Sequence, residues 1–324
     1  MFGMPTPAPA SSVVAFEPAA GQVLAPLGGQ IVSQPPTGSQ PRRVTQLTAD
    51  IPALDVAAMP RAQSAVVVTV SPFEGSGTYG GDLWTLDLAS GETTPLLARA
   101  TADESLGAPS LAGDGSLIAF DRADKSVVAV AYRGQAEAHY PTRIDAVRAD
   151  GSGRSTLVDD GHQPALSPSG TEVAFLRSMH DGTGLFTRSV AGGEEHMLLP
   201  TERFADLASP RYSPQGDRIA FVAAGPPRAG AAANSSSPLA NLFGPAVALA
   251  HGISWDVWTI RPDGSDARRL AELHADDASV AWSPDGTQVF VYGATGSFLV
   301  NQTGEVAALG HVQGAGGVAW VLMP

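Results

Sequence analysis

The chain has no cysteine and a single lysine, Lys125. Without cysteine it can form neither a disulfide nor a thiolate metal site, which leaves its redox compartment open. No run of about 18 apolar residues occurs, so the sequence contains no helix built to span a bilayer. Basic residues are few: 19 Lys and Arg stand against 32 Asp and Glu, a net charge of −13. That balance argues against nucleic acid or an anionic membrane as partner, and its plain reading is solubility. With one lysine in a chain rich in Ala, Gly and Pro, the preference for Arg reads as codon bias. Residues 1–12 are rich in Pro, Ala and Ser and lack the basic and apolar regions of a signal peptide. They read as a linker ahead of one domain at 13–324, as the trimmed start of an exported or anchored protein would.

What is present is a repeated unit. Ser279-Val280-Ala281-Trp282-Ser283-Pro284-Asp285-Gly286-Thr287-Gln288-Val289-Phe290-Val291 reads as strand, tight turn and strand. Val280 and Trp282 share one side of the first strand, Pro284 presets φ for the turn, and Gly286 tolerates a positive φ. Variants recur around Met59, Ala112, Ser167 and Ser213, each followed by an apolar return strand such as Val173-Ala174-Phe175 or Ile219-Ala220-Phe221. Gly317-Val318-Ala319-Trp320 copies the first strand once more, but the chain ends at Pro324 before any return. Val13-Val14-Ala15-Phe16 matches the missing return strand. Each module has a second half, an alternating strand, a Gly-containing hairpin and another strand, as from Asp82 to Leu97 and from Asp256 to Leu270. For the split module this half is Gly29 to Thr48, with Arg42 to Thr48 as its outer strand. Six modules of four short strands, one divided between the termini, describe an all-β, six-bladed propeller whose last blade is closed by N- and C-terminal strands.

Uneven spacing locates two insertions, at about 124–142 and 225–254, both between the second and third strands of their blades. In a propeller that places them on the face that also carries the blade-to-blade connections. The longer insertion holds an apolar stretch after a flexible Ala/Gly/Asn/Ser tract, and Leu239, Leu242, Phe243 and His251 are candidate partner-binding residues. The alternative is that this stretch folds back over its own face. The shorter insertion adds Tyr132, His139 and Tyr140, residue types enriched in binding surfaces, where a local lid is the competing reading.

Catalytic patterns are missing. Gly75-Ser76-Gly77 and Gly151-Ser152-Gly153 lack the outer glycines of a nucleophile elbow. Glu194-Glu195-His196 reads as the solvated start of a strand, and His274 with Asp276 and Asp277 as a polar connection, so no metal site and no cofactor are expected. Asp150-Gly151-Ser152-Gly153 and Asp263-Gly264-Ser265-Asp266 recur at the hairpin position, where turn chemistry suffices. Trp282 and Trp320 share one repeat position and Trp84 and Trp258 another, which argues packing between blades.

The run from Ser283 to Val291, its cousins at Ser167 and Ser213, and the strands Asp82-Leu83-Trp84-Thr85-Leu86 and Asp256-Val257-Trp258-Thr259-Ile260 resemble the PD40 (WD40-like) repeats of TolB-like six-bladed propellers. The resemblance spans 13–324. It implies an extracytoplasmic protein, periplasmic or at the cell surface, without chemistry of its own. The chain departs from TolB itself in lacking the α/β domain that precedes the propeller there, so the Tol–Pal role is not expected to carry over. The resulting expectation is a non-enzymatic scaffold that docks protein partners of an envelope or surface complex on one propeller face. The alternative is a small-molecule or glycan sensor using the channel; a hydrolase is disfavoured because no nucleophile–base pair can be named.

Overall fold

The Ser-Pro turn shows how these residues make a blade. Gly286 sits at a φ of 72° and its N–H donates to the Ser283 carbonyl at 2.8 Å, closing the reversal. The serine is there for its hydroxyl. Ser283 Oγ accepts the Gln288 amide (2.9 Å), and Ser213 and Ser167 do the same for Arg218 and Glu172 (3.1 Å each). All three serines are buried, so each hydroxyl satisfies an amide that water cannot reach.

The structure, a computed structural model, describes residues 16–37, 41–61, 63–127, 140–179, 181–225, 255–294, 296–309 and 314–323. Their strands form six separate four-stranded antiparallel sheets, numbered here as blades 1 to 6. Blades 1 to 5 are continuous, at 53–97, 104–158, 162–199, 206–275 and 279–308, each with its strands hydrogen-bonded in chain order. In blade 6 the inner strand Ala319–Val321 pairs with Gln22–Leu27, with Val23 opposite Trp320 and Leu24 opposite Ala319. Gln30–Gln34 and Arg42–Arg43 complete that sheet.

The closing strand is therefore Gln22–Leu27 rather than Val13–Phe16. Val13 to Ala15 lie outside the described residues, and Phe16 packs half-buried between blades 5 and 6. The physical reason is the hairpin. Gly28 and Gly29, both at positive φ, turn Gln22–Leu27 straight into Gln30–Gln34, while the match at Val13 rested on three apolar residues with no reversal after them. The outer strand is also shorter than the sequence suggests. After Arg42–Arg43 the chain leaves the sheet, and Thr45, fully buried, donates from Oγ1 to Gln30 Oε1 (2.9 Å) and accepts the Ile31 amide (2.9 Å).

The core lies between blades. Trp282 packs with Val222, Val257 and Leu270 of blade 4, and Trp320 with Phe290, Tyr292 and Leu299 of blade 5. Tyr212, at the equivalent position of blade 4, packs on blade 3 and donates its hydroxyl to Glu172 (2.6 Å). The repeated aromatic position is thus a wedge into the preceding blade.

Candidate functional site

A propeller built this way has two unlike faces. The Ser-Pro turns and the outer hairpins occupy one, here the turn face. The links from blade to blade and the hairpins between second and third strands occupy the other, the connection face. Both insertions leave the connection face, at Asp124/Thr142 and Ala224/Trp255.

Most of the insertion residues named from sequence, Leu239, Leu242, Phe243, His251, Tyr132 and His139, lie outside the described residues. Tyr140 is described: it is exposed, just ahead of strand Thr142–Arg148, and its carbonyl accepts the Thr142 hydroxyl (3.0 Å). The structure adds residues the sequence reading passed over. Among the described residues the exposed large apolar side chains are Leu27, Leu54, Tyr79, Val127, Tyr140, Met179 and Met197. All but Met197 sit at connection-face ends of strands or in the hairpins there, and Tyr79, at 60%, is the most exposed. Exposed acids stand among them, including Asp50, Glu74, Asp103, Asp124, Asp159 and Asp160. The signal was available at strand ends, where an apolar residue beyond the last paired position has no core to enter.

The other polar elements resolve into structure. Glu195 receives both terminal guanidinium nitrogens of Arg177 (2.7 and 3.1 Å), and that Arg lies over Phe175 and Phe186. His274 Nε2 lies 3.2 Å from Glu272. Hydrogen bonds from the Ser152 and Ser265 hydroxyls and amides hold the Asp150 and Asp263 carboxyls below their usual range, as turn-forming aspartates require. Among the described residues no three His, Asp or Glu side chains gather closely enough to hold a metal ion.

The second feature is the central channel. Halfway along it the inner strands bulge: Ala108, Gln163 and Ser209 take φ of 45°, 49° and 54° where the register of blades 2, 3 and 4 shifts. Each bulge turns an amide toward a side chain of the preceding blade. Gln163 N–H donates to Asp121 (2.8 Å), Ser209 N–H to Gln163 Oε1 (2.6 Å), and the Ala108 and Gly317 amides face Asp55. Val280 N–H to Ser209 Oγ (3.1 Å) and Ser279 Oγ–H to the Gly316 carbonyl (2.7 Å) continue the series, so the junctions from blade 2 through blade 6 are each bridged by a hydrogen bond of this kind.

Three charged groups meet at this level. Asp55, Asp121 and Arg211 are walled in by protein on the scale of a charge's surroundings, yet each keeps part of its surface accessible. Burial pushes the Asp55 carboxyl up to about 6 against the opposing pull of Arg211 and of the Val56, Gly317 and Ala108 amides. Burial raises Asp121 well above the carboxylate range, and the neighbouring charge of Asp55 adds to the rise. At the turn-face end the channel widens into a cavity of about 470 Å³ bordered by the inner strands of all six blades.

No family model and no curated protein matches the sequence. Solved structures do match. TolB from Acinetobacter baumannii superposes over 93% of this chain with a TM-score of 0.59 and 19% identity, and the chain spans 66% of that TolB. The fold is that of a TolB-like six-bladed propeller. A structure of a nidogen/laminin complex matches 93% of this chain and 98% of its own at TM-score 0.63 and 12% identity. An oligogalacturonate lyase in complex with manganese matches 87% of this chain and 74% of its own at TM-score 0.52 and 12% identity. A TolB-like propeller thus shares its architecture with proteins of unlike function, and its role has to be argued from its own surface.

Proposed function

We propose that the protein is a non-enzymatic, extracytoplasmic scaffold that docks another protein on its connection face. The observation that carries this reading is the segregation of exposed apolar side chains. Leu27, Leu54, Tyr79, Val127, Tyr140 and Met179 share that face, and both insertions rise from it. Scattered single apolar residues need no explanation, whereas a face that collects them within a polar rim has the composition of an interaction site. The acids around them favour a partner that brings apolar anchors within a basic surface. An envelope setting for that partner is what the sequence resemblance to TolB-like propellers implies.

The test is affinity capture from envelope extract with three baits: the intact chain, a Leu54→Ser/Tyr79→Ser variant, and a chain in which 226–252 is replaced by a short Gly/Ser loop. A protein retained by the intact chain and lost with the double substitution supports docking here, and loss with the loop replacement extends the site to the insertion. Capture unchanged by either alteration sinks the reading. The double substitution should keep the thermal midpoint of the intact chain, because Leu54 and Tyr79 are exposed.

A further inference from the structure

The cavity at the turn face lies opposite the proposed docking face and has an unusual charge. This is a protein with 32 acidic residues against 19 basic ones, yet the charged side chains lining the cavity are Arg61 and Arg211, with no acid among the described lining residues. The remaining lining is mostly apolar, including Met59, Pro109, Pro168, Pro214 and the margins of Trp282 and Trp320.

The polar atoms of the aromatic lining are already committed. Trp282 Nε1–H donates to the Arg211 carbonyl (3.0 Å), Trp320 Nε1–H to the Ala20 carbonyl (3.2 Å), and the Tyr212 hydroxyl to Glu172. What these groups present to the cavity is hydrocarbon. The two guanidinium groups are the charges left to orient a ligand. Arg211 Nη1 donates to the Pro210 carbonyl (2.8 Å), and among the described residues no carboxylate lies within 4.0 Å of its guanidinium. Asp55 and Asp121 act on it through space without an ion-pair contact, and burial raises both carboxyls, Asp55 to about 6 and Asp121 well above the usual carboxylate range. Arg211 therefore keeps donors and charge that no contacting group satisfies, in a low-dielectric setting where an anion gains most from them. A volume of about 470 Å³ falls within the usual range of small-molecule sites, roughly 300–1,000 Å³.

We propose that this cavity binds an organic carboxylate with a flat apolar body, Arg211 and Arg61 receiving the carboxylate and the proline and tryptophan margins enclosing the body. A strongly hydrated inorganic anion would meet walls that cannot replace its water, and a neutral apolar compound would leave Arg211 unanswered. The planar guanidinium fork matches a carboxylate in two parallel hydrogen bonds.

The test is calorimetric titration of the full chain with 2-naphthoate and, separately, with its neutral isostere 2-naphthamide, with tryptophan fluorescence followed in parallel. Two of the five tryptophans, Trp282 and Trp320, stand at the wall and respond to its occupancy. The expected result is a dissociation constant for 2-naphthoate below roughly 1 mM, with 2-naphthamide at least about tenfold weaker. Arg211→Gln should weaken the acid by about tenfold or more and leave the amide unchanged, and Arg61→Gln should have a smaller effect of the same sign. Equal binding of acid and amide overturns the proposal, as does the lack of heat and of fluorescence change for the acid. If Arg211→Gln does not fold, the acid-to-amide ratio on the unaltered chain still decides. Acetyl-Gly-Gly-Phe separates two sources of the same chemistry. Tighter binding than 2-naphthoate assigns the carboxylate to a polypeptide end, weaker binding to a free acid, and either supports recognition of a carboxylate.

Discussion

Burial pushes the Asp55 carboxyl up to about 6 from an ordinary 3.8, so the folded protein holds its proton more tightly than the unfolded chain does. The sign of the resulting pH dependence is set by that difference. Below about pH 4 both states are protonated and the group is neutral in its effect. As pH rises from about 4 to about 6 the unfolded chain ionises first, and stability falls; above that window the full penalty remains. Asp55→Asn removes the ionisation while retaining an acceptor for the Ala108 and Gly317 amides. Its thermal midpoint relative to the parent should rise between pH 4 and pH 7 and then level off. A difference that does not change with pH would show that Asp55 ionises as freely in the fold as outside it. This residue was visible in the sequence as an acid inside Ala53-Leu54-Asp55-Val56-Ala57, and Asp121 directly follows Leu117-Ile118-Ala119-Phe120. An acid inside an apolar strand is a signal. Its meaning was out of reach because blades 1, 2 and 4 bring Asp55, Asp121 and Arg211 together only after the ring has closed.

At the scale of the strand, the inner-strand bulges run against local preference. Ala, Gln and Ser rarely adopt positive φ, and the left-handed region costs such residues about 1–2 kcal/mol. An inter-blade hydrogen bond holds the Gln163 and Ser209 bulges, and at Ala108 the amide faces the buried Asp55 carboxyl. At Ala108 the side chain contributes no polar contact, so Ala108→Gly should relieve the backbone while keeping the amide aimed at Asp55. With the greater unfolded-state entropy of glycine set against that relief, the expected result is a gain of about 0.5 kcal/mol in urea unfolding. A loss of more than about 1 kcal/mol would mean that Ala108 is not strained as its φ indicates. The strands themselves were legible, because Ser-Pro turns and glycine hairpins bracket alternating apolar runs. The bulges were not, since a shift of one residue inside a strand leaves no mark on composition.

For the whole molecule, six blades and their closure through one divided blade could be read from the repeats, and the identity of the closing strand could not. Val13–Phe16 matches a return strand in its apolar residues but has no reversal after it, whereas Gly28 and Gly29 directly follow Gln22–Leu27. Composition marks the insertions as candidate binding segments, whereas the apolar connection face depends on where the strands end. The closure can be tested through Trp320, 2% exposed and wedged against blade 5. Trp320→Ala should cost about 3–5 kcal/mol and Trp84→Ala, half-buried in blade 1, clearly less. Limited proteolysis should then cut the Trp320 variant first at 16–27. Equal losses with an unchanged cleavage pattern would show that the seam is no weaker than the rest of the ring.

The register of that seam also has a mechanical meaning. Gln22 faces Val321, then Val23 faces Trp320 and Leu24 faces Ala319, so the chain leaves the pair at the same end on both sides. Tension applied between the two ends would load Gln22 and Val321 first and peel the three pairs in turn, like a zip, rather than shear them together. The same pull would draw on the segment before Gln22, where Ala19 N–H and the Glu17 carbonyl are both bound to Gln288 (3.0 and 2.8 Å). The ring therefore carries one clasp that opens at low force when pulled along its own chain.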